Sequence, residues 1–206
     1  GACAGAALSL LMARRYPADV RGLLLVAPPY YSTKATVDSA PILDGQYFRL
    51  AAVAEEKDMQ AVIAESTEAW VRLGSARSEP GDQFLNWVAQ TISMNPGNRD
   101  RLLAMDPKAF AAIMRRWASW YGQGPGHVHG LSYDYIRPIA LPALVAHGFD
   151  PIHPRDTAEE LYRLLPNAEW VEYSERYTQE EIEQAGQSWG LALPFMEEFL
   201  HRIETG

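Results

Sequence analysis

Apolar positions along the chain fall into two spacings, and the alternation between them outlines the fold. From Ala4 to Tyr16 helix formers dominate, and Leu8, Leu11 and Met12 keep the i, i+3, i+4 spacing that predicts a helix with a buried stripe. Tyr16-Pro17 ends it. Val20 to Ala27 then contains Leu23-Leu24-Leu25-Val26, an apolar run without alternation, which is the pattern of a parallel strand covered on both faces. Pro28-Pro29 closes this strand, and Leu141 to His147, followed by Gly148, predicts a second one of the same kind. Asp156 with Glu159 predicts a capping box for a helix whose stripe is Leu161, Leu164 and Leu165, stopped by Pro166-Asn167. Ala168 to Tyr173 follows as a third, shorter strand. Thr178 with Glu181 predicts a cap for a helical region that runs toward Ile203 and is interrupted near Gly190 and Pro194. Helices alternating with buried strands predict an α/β protein with a parallel sheet.

Between about Tyr30 and Arg137 the alternation stops. That stretch is rich in Trp and Met and consists of amphipathic helical segments separated by Pro and Gly, the composition of an inserted helical cap. Its clearest helix starts at Asp106-Pro107, an N-cap followed by proline at the first helical position, and places Phe110, Ile113, Met114 and Trp117 on one packing face. Gly122 to Gly130 predicts a glycine-rich loop rather than a regular element. The expected organisation is therefore a core of residues 1–29 and 138–206, with a cap over residues 30–137.

Composition narrows the partners. A chain of 206 residues that is 48% hydrophobic can bury one large core. A net charge of −8 with scattered basic residues argues against a nucleic-acid groove or an anionic membrane surface, leaving a small-molecule substrate or ligand as the expected partner. A homodimer stays open. The single cysteine, Cys3, excludes an internal disulfide and a cysteine-based metal cluster, and fits a reducing cytoplasm. There is no apolar run of about 18 residues, as a membrane span requires, and no secretory leader pattern. The expectation is a cytoplasmic protein with no metal and no cofactor. The opening Gly1-Ala2-Cys3-Ala4-Gly5 lacks an initiator methionine and a preceding strand, so it is read as the middle of a gene, upstream strands missing. A parallel sheet that begins there would expose one edge, and the isolated chain is expected to aggregate or fold poorly.

The chemistry starts with Gly1-x-Cys3-x-Gly5, which opens directly into a small-residue helix followed by a buried strand. Glycines flanking a sharp strand-to-helix turn lift one side chain into solvent at a helix N-terminus, where the helix dipole favours an anion. Farther along, Pro142-Ala143-Leu144-Val145-Ala146-His147-Gly148-Phe149-Asp150-Pro151 is a buried strand running into an acid before proline. Together these segments resemble the α/β-hydrolases, with cysteine standing where that family usually carries serine. The helix after Ala158 and the strand near Ala168 are similar to the family's late elements as well. The resemblance implies an α/β-hydrolase parallel sheet with an inserted helical cap, Cys3 as nucleophile, the Ala4 backbone N–H as an oxyanion donor, and Asp150 as the acid that orients a histidine. Dienelactone hydrolases within this fold also use cysteine, with a histidine partner.

That histidine is not where the family places it. The loop after the last strand reads Ser174-Glu175-Arg176-Tyr177-Thr178. Of the five histidines, His147 fits a local backbone-capping role, His153 a surface or supporting role beside the acid turn, and His201 a solvated helix face. His127 and His129, in the glycine-rich loop, are the candidates for a replacement base; a metal at that pair lacks a third ligand nearby in sequence. Three functions stay open. One is an atypical hydrolase of a small ester, thioester or lactone through Cys3. A second is an inactive homologue that binds a small apolar ligand. The third is an interaction protein docking through Trp70, Trp87, Trp117 and Trp120 in the cap, rings that core packing also explains.

Overall fold

The computed structural model describes residues 1–29, 47–73, 75–78, 82–121, 126–128, 130–149, 153–185 and 189–205. The chain divides into two compact units, Gly1–Val37 with Gln123–Gly206, and Asp38–Gly122. No helix among the described residues is long and apolar enough to cross a membrane.

The first unit is built on a parallel three-stranded sheet in the order β1-β4-β5, with β1 at Leu23–Val26, β4 at Ala143–Ala146 and β5 at Ala168–Trp170. Register runs Leu23 opposite Ala143 and Ala143 opposite Ala168. Every residue of β4 is buried, as the unbroken apolar run requires of the central strand. Ala2 forms a parallel bridge to Val26, so residues 1–2 lie along the free edge of β1 before the chain turns into helix α1, Ala4–Arg15.

Helix α1 packs by its small residues. Ala6, Ala7, Leu10 and Ala13 are buried, whereas Leu8 is 59% and Met12 51% exposed, which corrects the expected stripe of Leu8, Leu11 and Met12. An alanine face lets a helix approach a sheet closely, and the contact around α1 selects that face over the bulkier one. On the same unit, α9 (Arg155–Leu164) buries Thr157, Ala158 and Leu161, and Leu165 is buried just beyond its end. Its N-cap is Pro154, without a side-chain cap; the expected Asp156–Glu159 box does not form because the helix begins at Arg155, which leaves Asp156 inside the first turn, and Glu159 pairs with Arg155 and Arg163. The second box does form. Thr178 N–H donates to Glu181 at 2.8 Å and Glu181 N–H to the Thr178 hydroxyl at 3.3 Å, starting α10, Gln179–Ala185. Helix α11, Leu193–Thr205, takes Pro194 into its first turn, where the missing N–H costs nothing. Phe199 of α11 joins Val26, Ala27, Leu144, Ala146, Val171, Tyr173 and Ala192 in one core cluster.

The glycine-rich stretch is partly regular. His127–Val128 (β2) and Leu131–Ser132 (β3) form an antiparallel pair, and Gly126 and Gly130 take the positive φ values, 85° and 74°, that this reversal needs. Here the structure corrects the expected loop. Ser132 caps the short helix α8, Tyr133–Ile136, through the Tyr135 N–H.

The second unit is helical among its described residues: α2 (residues 47–56), α3 (Met59–Arg72), α4 (Asp82–Leu85), α5 (Trp87–Met94), α6 (Gly97–Leu103) and α7 (Pro107–Tyr121). Asp106 accepts from Ala109 N–H at the start of α7, as its position before Pro107 predicts. Phe110, Ala111 and Met114 of that helix enter a core with Leu50, Ala54, Met59, Val62, Ile63, Leu85 and Val88. Ile113, expected on the same face, is 43% exposed. It lies about 100° round the helix from Met114, which puts it at the margin of the stripe. Asp82, fully buried, accepts from Arg72 through both nitrogens of a guanidinium edge at 2.6–3.2 Å. The Ser66 hydroxyl donates to the Leu85 carbonyl and accepts the Ala89 N–H, joining α3 to the two helices that follow.

Candidate active site

Cys3 occupies the turn between the sheet edge and α1. The ladder that sets its position is short: Val26 N–H donates to the Gly1 carbonyl and Cys3 N–H to the Val26 carbonyl, each at 3.1 Å. Helical bonds begin at once, Gly5 N–H to Ala2 at 2.8 Å and Ala6 N–H to Cys3 at 2.9 Å. To pass from strand to helix within a residue, Cys3 adopts φ 50° and ψ −131° as the N-cap of α1. A side chain at positive φ carries a strain of about 1–3 kcal/mol, which persists only where the surroundings enforce it. The thiol is free and half-buried.

The two glycines around it differ. A Cβ at Gly1 would come 2.1 Å from the Gly5 carbonyl oxygen and 2.6 Å from the Ser9 hydroxyl, so the close crossing of strand and helix demands glycine there. At Gly5 a Cβ would meet nothing within 4 Å, so close approach requires glycine at the first of the two positions and not at the second. Ala4 is the first residue of α1, so its N–H is one of the helix-start amides that no intrahelical carbonyl reaches.

Asp150 and His129 lie outside the described residues. His127 sits half-buried on β2, opposite Ser132, and its Nδ1 is buried with no hydrogen-bond partner among the described residues. No hydrogen bond among the described residues joins it to Cys3. His201 is exposed on α11.

The residues before Asp150 are tightly organised. His147, buried at the end of β4, directs Nδ1 at the Gly148 carbonyl at 2.8 Å, the local capping role its sequence position predicts. Its ring stacks on Trp170 at 5.5 Å and meets Phe149 and Tyr173 edge-on at 5.0 Å. Burial pushes the imidazole pKa down, against the smaller opposing pull of the Gly148 carbonyl. Tyr173, just past β5, donates its hydroxyl to the His147 carbonyl at 3.2 Å; burial raises the phenol well above its ordinary range. His153, expected at the surface or in support, is buried. A Cβ at Gly148 would come 2.3 Å from the His153 Cβ, so the chain on either side of residues 150–152 is held in close contact. Neither contact is legible in the sequence: the first closes the segment after β4 on itself, and the second joins the ends of β4 and β5.

After β5 the chain forms a 3₁₀ turn, Tyr173–Glu175, then enters the capped α10. No group of three or more His, Cys, Asp or Glu residues suited to a metal ion exists among the described residues. What the described geometry offers is a free, half-buried thiol on a residue held at positive φ, at the N-terminus of α1.

No family model matches the chain, and no curated protein matches it. Solved structures do. An alpha/beta hydrolase from Sphaerobacter thermophilus DSM 20745 is similar over 97% of this chain and 65% of its own, at 20% identity and a TM-score of 0.47. MenH from S. aureus is similar over 99% of this chain and 67% of its own, at 15% identity and a TM-score of 0.51. The chain thus spans about two thirds of the length of each. Parallel strands taken in sequence order, helices packed between them, and the likeness to MenH, an α/β hydrolase, agree on one architecture: this chain has the α/β-hydrolase fold.

Proposed function

We propose that the chain belongs to a hydrolase that cleaves a small ester, thioester or lactone through Cys3. The observation that carries this reading is the backbone of Cys3, held at φ 50° at the junction of sheet edge and helix with its thiol half-exposed. In the proposed reaction the thiolate sulfur bonds to the acyl carbon, and the carbonyl oxygen gathers charge that the Ala4 N–H stabilises. The carbon–oxygen bond then breaks, the leaving alkoxide takes up the proton that the thiol gave up, and water attacks the acyl-cysteine to release the carboxylic acid and regenerate the thiol. For a thioester the leaving group is a thiolate. Asp150 is proposed as the acid of the site, residues 30–137 as a cap, and a small molecule as the partner.

The second step needs a base to activate water. We assign it to His127, whose Nδ1 is buried without a partner among the described residues, with His129 beside it in sequence as the other candidate.

Steady-state hydrolysis of chromogenic esters tests the reading. Turnover lost in Cys3→Ala and reduced on the order of 100-fold in His127→Gln supports it. Turnover that survives Cys3→Ala rejects it. A second reading, an inactive homologue that binds a small apolar ligand, draws on the histidine-free segment Ser174–Thr178 after β5. It predicts saturable ligand binding with no turnover in the wild type.

A further inference from the structure

We infer that Ala27 is a positioning residue for Cys3, an inference that rests on the nucleophile role proposed above. Ala27 follows β1 directly, is fully buried, and has φ 45°, a left-handed backbone that penalises any residue with a Cβ. Cys3 and Ala27 are the non-glycine residues with positive φ among the described residues, and the Ala2–Val26 bridge sets them beside one another. Strain of this kind survives where neighbours over-determine it.

Three contacts do so. Ala27 N–H donates to the Ala146 carbonyl at the end of β4 at 2.7 Å. Its Cβ faces Gly148, where an added Cβ would approach to 3.3 Å. The preceding residue, Val26, holds the cysteine turn from both sides, donating to Gly1 and accepting from Cys3. The Val26–Ala27 peptide is therefore tied to the nucleophile on one flank and to the β4 end and Gly148 on the other. Its left-handed twist ends β1 so that both sets of bonds are met at once.

Glycine at this position would take the same φ without penalty, yet it would also reach other backbone basins. The Val26 carbonyl, and with it the Cys3 amide, would lose a fixed position. Alanine trades conformational ease for a defined one. The effect belongs to orientation, because attack on a carbonyl depends on direction and distance, whereas simple alkylation of an accessible thiol depends on them far less.

The test compares two reagents on the intact chain, 4-nitrophenyl acetate for acylation and iodoacetamide for alkylation, in wild type, Ala27→Gly and Ala27→Ser. Ala27→Gly is expected to acylate about tenfold more slowly while alkylating within about twofold of wild type, with a thermal midpoint equal or higher. Ala27→Ser, which keeps the Cβ, is expected to recover the acylation rate. Ala27→Gly acylating at the wild-type rate, or both reagents slowing in parallel, would overturn the inference. Wild type that alkylates but never acylates would instead reject the nucleophile reading, and the inference with it.

Discussion

At the scale of single residues, the sharpest contrast is between Gly1 and Gly5, which the sequence pattern treats as equivalent. Gly1→Ala drives a Cβ into the backbone of α1, and loss of about 2 kcal/mol or more is expected in chemical denaturation. Gly5→Ala replaces a helical glycine in open space and is expected to stabilise by about 0.5–1 kcal/mol. Equal effects at the two positions would contradict the described turn. His147 adds a pH dependence. Its folded pKa lies below its unfolded one, so its contribution to stability is complete above the ordinary imidazole pKa and is lost as pH falls through the depressed folded value. Thermal melts are expected to show the midpoint falling as pH drops below about 6.5, before the carboxylates titrate. In His147→Gln that part of the slope should vanish; an unchanged slope would place the titrating group elsewhere.

At the scale of elements, β1 and β4 were legible because an unalternating apolar run bounded by Pro or Gly has few other interpretations; β5, with Glu169 exposed at its centre, carries no such run and is shorter than the expected Ala168 to Tyr173. The caps were legible only in part. Thr178–Glu181 and Asp156–Glu159 present the same spacing, yet only the first closes, since the second helix begins before Asp156, with Pro154 as its N-cap. Thr178→Ala is accordingly expected to cost about 1 kcal/mol and Asp156→Ala a few tenths at most, measured by urea denaturation. Helix faces were harder to assign. In α1 the alanine side is buried and the leucine–methionine side is not, because close approach to the sheet outweighs the hydrophobicity of the larger side chains. The Arg72–Asp82 pair in the second unit had no sequence signal, the two lying on different helices. Arg72→Met leaves a fully buried carboxylate without its guanidinium, and a cost of about 3–5 kcal/mol is expected.

At the scale of the whole molecule, the apolar side of α1 has a counterpart. Leu8 and Met12 line a groove of about 390 Å³ with Gly1, Leu23, Leu24 and Leu200. An exposed apolar groove favours association. The chain is expected to self-associate at micromolar concentration in analytical ultracentrifugation, and Leu8→Lys with Met12→Lys should shift it toward monomer. A wild-type chain that stays monomeric would contradict this expectation. The site is legible to a similar degree as the fold. The turn at Cys3 was readable because a turn motif is local, while the contact of Gly148 with His153 and the strain at Ala27 arise only once the chain after β4 folds back beside β1.

Intact-mass spectrometry of the chain after brief exposure to activated esters tests the nucleophile most directly. The account predicts one acyl adduct on Cys3 that forms within the exposure and then clears with time, and no adduct in Cys3→Ala. Failure of any adduct to form on an otherwise folded chain would contradict it.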